Sequence, residues 1–138
     1  MARTVEALAP IDLELRAAPV SVTAARHELA TYLAAADQRS PDAELAITEA
    51  VSNAVTHAFR GQEVGTIFLR FEALVPDTLA VTVGDDGIGM TPDRDHEGLG
   101  LGLSLIGRLA TDVVVAGREP HGTVVTMHFP LAPAPTAG

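Results

Sequence analysis

The chain has 138 residues, 47% of them apolar, a size that supports one hydrophobic core and is short for a catalytic domain joined to a separate sensor or dimerisation domain. Its net charge of −9 sets 18 acidic residues against nine scattered basic ones, all arginine; this argues against a nucleic-acid surface, and the lack of lysine excludes a Walker-type phosphate loop and an ordinary protein-kinase site. Without cysteine there is no thiol catalysis, disulfide or cysteine-based zinc site, and the five histidines (His27, His57, His96, His121, His128) show no His-Glu-x-x-His spacing, so no metal held by protein ligands alone is expected.

At the N-terminus, Met1-Ala2-Arg3-Thr4-Val5-Glu6 lacks the basic-then-apolar pattern of a signal peptide. No apolar run approaches the roughly 18 to 20 residues that span a bilayer, so a cytoplasmic protein without membrane contact is expected. Ile11 to Leu15 alternates apolar and polar as a half-buried strand does, and Pro19 breaks the run. From Ser21 to about Ala36, Val22, Ala25, Leu29 and Leu33 recur at helical spacing. A second helix opens with Ser40 as N-cap, Pro41 at the first helical position and Asp42 and Glu44 at the positive end, with Gly61 as its stop.

Thr66 to Ala73 and Leu79 to Val83 alternate again and form a hairpin about Pro76-Asp77. A glycine-rich stretch from Gly84 to Gly102 leads to a helix near Leu103 to Ala110. A second hairpin follows, Val113 to Val115 and Val124 to Leu131, turning at Pro120-His121-Gly122. The expected organisation is one domain over 1–131, with a disordered Pro/Ala tail over 132–138 because repeated proline removes backbone donors. The fold class is α+β, a two-layer α/β sandwich whose mixed, largely antiparallel sheet carries its helices on one face.

Three segments carry chemistry. Glu49, Asn53 and His57 stand four apart on the second helix and fall within an arc of roughly 80°, a polar stripe that suits a site and equally fits a solvated helix face. Val83-Gly84-Asp85-Asp86-Gly87-Ile88-Gly89 ends a strand in a carboxylate and a glycine turn. Asp85 there can accept a hydrogen bond from the exocyclic amine of a base, while Gly87 and Gly89 let backbone pass close to a flat ligand; Asp-Asp-Gly is also a common turn. Gly98-Leu99-Gly100-Leu101-Gly102 leads into a helix whose unpaired N–H groups make a phosphate cradle, without the Gly-x-Gly-x-x-Gly spacing or the preceding strand of a Rossmann site.

In this order the three segments resemble the asparagine box and the two glycine boxes of the GHKL ATPase superfamily, whose ATP-binding domain is the Bergerat fold. Thr48 to Ala58 is more similar to the single-domain anti-sigma factor serine/threonine kinases than to sensor histidine kinases, and the likeness runs from about Leu13 to Pro130. It implies ATP and Mg²⁺ as cofactors, Asn53 on Mg²⁺, Asp85 on the adenine amine, and Gly87 and Gly89 in the base-side turn. It further implies Gly98, Gly100 and Gly102 along the triphosphate, Thr123 (after Gly122) beside the adenine network, and Glu49 as general base. His57 completes the stripe, as a nucleotide contact or a structural hydrogen bond. The implied partners are a sigma factor, an anti-sigma factor antagonist and a second copy in a homodimer, with Arg26 available for a partner contact. The lid, Met90 to Glu97, is short and offers Arg94 and His96 to the phosphates. Two other functions fit the same residues: a non-catalytic module that binds partners under nucleotide control, and a histidine kinase catalytic domain acting in trans.

Overall fold

The segments expected as strands become one five-stranded sheet in the computed structural model, which describes residues 8–58, 65–74, 76–87 and 100–131, with the backbone alone at 57, 58 and 100–103. The elements are β1 (Ile11–Arg16), α1 (Val20–Ala34), α2 (Pro41–Asn53) continuing into a π turn (Ala54–Ala58), β2 (Thr66–Leu74), β3 (Thr78–Asp85), α3 (Gly100–Leu109), β4 (Asp112–Gly117) and β5 (Thr123–Pro130). The strand order is β1-β2-β3-β5-β4. The sequence predicts a mixed, largely antiparallel sheet; every described pairing is antiparallel. The reason is topological. β3 and β4 run the same way across a helical connection, but β5 returns between them and separates the one pair that would have been parallel.

The core follows from the period of two. Ile67, Leu69 and Phe71 of β2, Leu79, Val81 and Val83 of β3, and Met127 and Phe129 of β5 are buried in one cluster with residues of all three described helices, among them Leu29 and Leu33 of α1, Ile47 and Val51 of α2, and Ile106 of α3. Ala43, Ala46, Ala50 and Ala54 give α2 a small-residue face, so it packs against α1, α3 and the sheet together. The Tyr32 ring tilts against Phe71 with centroids 5.7 Å apart. Polar pairs occupy the other face of the sheet: Arg70 donates to Asp12 across β1 and β2 at 2.7 Å, and the Arg118 guanidinium lies 4.0 Å from the Phe68 ring centroid.

Helix ends differ from the sequence reading where backbone hydrogen bonds decide them. α1 starts at Val20 with no side-chain cap, and the Ser21 hydroxyl donates instead to the Arg16 carbonyl. It ends two residues short of Ala36 in a left-handed cap. Asp37 takes φ 55°, its N–H reaches the Ala34 carbonyl, and the Gln38 N–H reaches Leu33 O at 3.0 Å. α2 starts as its sequence dictates, with Ser40 Oγ accepting the Ala43 N–H at 3.2 Å and Pro41 at the first helical position. It passes into the π turn at Ala54, well before Gly61, which lies outside the described residues, as does the Pro/Ala tail 132–138. Among the described residues, no helix is long and apolar enough to cross a membrane.

Ser40→Ala removes the acceptor for the buried Ala43 N–H, and the loss expected is about 1 kcal/mol of unfolding free energy. Urea titration checks this as a lowered midpoint with an unchanged slope.

Candidate functional site

Asp85 extends the buried row Leu79, Val81, Val83 of β3, so the strand that builds the core delivers a carboxylate where another hydrophobic residue would stand. Its neighbours in register are Ile67 of β2 and Thr123 of β5, and the residue is only 5% exposed. Burial pushes its carboxyl above the ordinary carboxylate range. The Gly87 and Thr123 amides and Arg118 pull the other way, while Asp86 adds to the rise. The Gly87 N–H donates to Asp85 Oδ1 at 2.9 Å, so the start of the glycine turn is folded back on the carboxylate it follows.

The two adjacent acids have separate structural tasks. Asp86 turns to β2, where its Oδ1 accepts the Thr66 N–H at 2.9 Å and ties off the edge of the strand. Thr123, also buried, opens β5 directly beside Asp85. Just before it, Gly122 has φ 119°, and a Cβ there would lie 2.0 Å from the Asp85 carbonyl oxygen, so this position admits only glycine. The preceding residue, His121, places Nδ1 2.9 Å from the Gly87 carbonyl. The sequence reads Pro120-His121-Gly122 only as a hairpin turn. The missing information was the register that folds this turn over Asp85, a pairing between residues far apart in the chain.

Of the residues singled out from sequence, Asp85, Gly87 and Thr123 stand together here. Glu49 and Asn53 are half-buried on α2, whose last residue is Asn53. His57 lies in the π turn, where each residue advances by less than the α-helical 100°, so the stripe does not continue to position 57 at its helical angle. The π turn packs against β3, which brings the end of the stripe to the strand that carries Asp85. Gly100 and Gly102 belong to the first turn of α3, which starts three residues earlier than the glycine-rich composition suggests. Their amides are among those a helix start leaves without intrahelical partners. Gly89, Gly98, Arg94, His96 and the Met90 to Glu97 segment lie outside the described residues.

Residues 15–129 match the family model of the histidine kinase-like ATPase domain. Serine-protein kinase RsbW of Listeria innocua is 29% identical over 137 aligned residues, which cover 86% of this chain and 87% of the relative. The anti-sigma F factor of Clostridium novyi is 28% identical over 117 residues, covering 75% of this chain and 81% of its own. A solved structure of the RsbU and RsbW domains of a Mycobacterium tuberculosis protein shares the fold with a TM-score of 0.70 at 21% identity, over 94% of this chain and 35% of that one.

The Asp85 carboxyl binds its proton more readily folded than unfolded. Its contribution to stability is therefore fully present below the unfolded carboxyl pKa and is lost as pH rises through the raised folded value. Urea midpoints measured across that acid range should fall with increasing pH more steeply in the wild type than in Asp85→Asn, and parallel profiles would place the proton elsewhere.

Proposed function

We infer that this chain, which belongs to the histidine kinase-like ATPase domain family, is an ATP-binding anti-sigma regulatory factor and a serine/threonine protein kinase acting on an anti-sigma factor antagonist. The observation that carries this reading is the buried Asp85 carboxylate, bonded to the Gly87 amide and paired in register with Thr123, inside a family match that spans nearly the whole sheet. Relatives aligned over 87% and 81% of their own lengths are named a serine-protein kinase and an anti-sigma F factor, and the chain has no lysine for a Walker-type phosphate loop or an ordinary protein-kinase site.

The donor set fits a purine nucleotide. Asp85 offers an acceptor-only group to an exocyclic amine, and its dry surroundings strengthen that bond. Gly87, and by the family resemblance Gly89, would serve the base side, and Thr123 extends the polar wall beside Asp85. Gly98, Gly100 and Gly102 are the residues that would line the phosphates, Gly100 and Gly102 through the free amides and positive dipole end at the start of α3. Asn53 presents an amide oxygen, a hard ligand suited to a Mg²⁺ that keeps some of its waters. When bound, the ion neutralises charge on the phosphates during transfer. Glu49, one helical turn before Asn53 on α2, is the carboxylate that would accept the proton of an incoming serine or threonine hydroxyl. The family resemblance would give His57 either a nucleotide contact or a structural hydrogen bond. The sigma factor and the antagonist are the protein partners, and a second copy of the chain completes a homodimer.

Purified protein incubated with labelled ATP, Mg²⁺ and the co-encoded antagonist should yield phosphoserine or phosphothreonine on the antagonist. Glu49→Gln should bind ATP within a few-fold of wild type yet transfer phosphate roughly 10²- to 10⁴-fold more slowly. Transfer at the wild-type rate would remove Glu49 from the chemistry, and ATP binding without transfer to the antagonist would identify a nucleotide-gated binding module.

Asn53→Ala should flatten the Mg²⁺ dependence of ATP binding and leave affinity in EDTA nearly unchanged. Calorimetric titrations at several Mg²⁺ concentrations read this directly. Superimposable curves for the two proteins would exclude Asn53 from the ion.

A further inference from the structure

The turn that joins β4 to β5 is built against the backbone of the Asp85 loop. Its own closure is the Arg118 N–H to Gly122 carbonyl bond of 3.0 Å. Gly122 presses so closely on Asp85 and Asp86 that an added Cβ would lie 2.0 Å from the Asp85 carbonyl oxygen and 3.2 Å from Asp86 Cα. From this seat His121 reaches a residue 34 positions earlier in the chain, with Nδ1 2.9 Å from the Gly87 carbonyl oxygen. A carbonyl only accepts, so Nδ1 carries the hydrogen. The contact therefore selects the Nδ1–H tautomer of the neutral ring and persists in the imidazolium form.

Gly87 is thereby held at both of its polar groups: its N–H donates to Asp85 Oδ1 and its carbonyl accepts from His121. A glycine has wide rotational freedom, so a second bond on the neighbouring peptide narrows the geometry of the Gly87 amide bond to Asp85. We propose that His121 is a positioning residue for base recognition: through the Gly87 carbonyl it keeps the Gly87 N–H on one carboxylate oxygen of Asp85, so that the other oxygen is presented to the exocyclic amine of a purine. This rests on the reading of Asp85 as the acceptor for that amine. His121 touches neither base nor phosphate in this scheme, and its effect is confined to how well the site distinguishes a purine that carries the amine from one that does not.

The test compares ATP with ITP, which lacks the exocyclic amine, by calorimetry on wild type, His121→Ala, His121→Asn and His121→Gln. The asparagine carboxamide carries its N–H at the branch position of Nδ1, whereas glutamine places its own near the position of Nε2. His121→Ala and His121→Gln should bind ATP about 3- to 10-fold more weakly, the worth of one hydrogen bond, with ITP affinity nearly unchanged; His121→Asn should keep the wild-type ATP-to-ITP ratio. Ring ¹⁵N shifts of wild-type His121 at neutral pH should report the Nδ1–H tautomer. Urea midpoints verify folding, and the Asn and Gln pair decides the matter should the Ala variant not fold. A His121→Ala protein that keeps both its ATP affinity and its ratio overturns the proposal. So does one that loses ATP and ITP equally, which is the mark of a general structural role, and so does rescue by Gln as good as by Asn. A wild type that binds both nucleotides alike defeats the reading of Asp85 itself, a result separate from any difference among the His121 variants.

Discussion

Everything at the candidate site depends on a carboxylate kept in a place made for a hydrocarbon. Asp85 continues the row of Leu79, Val81 and Val83 on the central strand, and the surroundings that exclude water from those side chains also strip water from its oxygens. A charge in that position is costly, and backbone amides offset the cost: Gly87 from the following turn and Thr123 from the adjacent strand. The strand order supplies both. Because β5 inserts beside β3, Thr123 arrives in register with Asp85, and because Gly122 has no side chain the two backbones can meet.

The helical layer answers the same constraint from the other side. α2 presents alanines to its neighbours, which allows it to lie close to the sheet while Glu49 and Asn53 remain half-buried along one edge. The change from α to π winding after Asn53 alters the advance per residue where the helix approaches β3. A π turn leaves backbone groups without their usual α-helical partners, and such turns recur where a helix serves a site. The half-buried setting of Glu49 leaves its carboxylate both oriented by the helix and open to solvent.

Much of this was legible in the sequence because it is local. Period-two alternation located β1, β2 and β3, the turn at Pro120-His121-Gly122 between two valine-rich runs located β4 and β5, the Ser40-Pro41 start of α2 was written in its cap residues, and the glycine-flanked Asp85 stood out as a polar residue ending an apolar strand. The remainder depends on pairing between distant segments. Nothing near Pro120-His121-Gly122 indicates that this turn folds over Gly87, and the separate tasks of Asp85 and Asp86 follow only from Asp85 closing the buried row of β3 while Asp86, just past the strand, meets Thr66 of β2. The end of α1 was misplaced because Asp37 adopts the left-handed cap that glycine usually fills, so the usual stop residue was missing from the chain. The antiparallel pairing of all described strands was hidden for the same reason as the His121–Gly87 contact: adjacency of β3 and β5 is a property of the sheet, not of either segment.

The place of β5 in the sheet also has a temporal meaning. A chain emerging from the ribosome makes α1, α2 and the β2–β3 hairpin first, and at that stage Asp85 lies on an open edge with its Thr123 neighbour still unsynthesised. The last strand to be made is the one that walls in the carboxylate. Burial of the Asp85 carboxylate is therefore coupled to completion of the sheet, and a truncated or partly folded molecule lacks that wall.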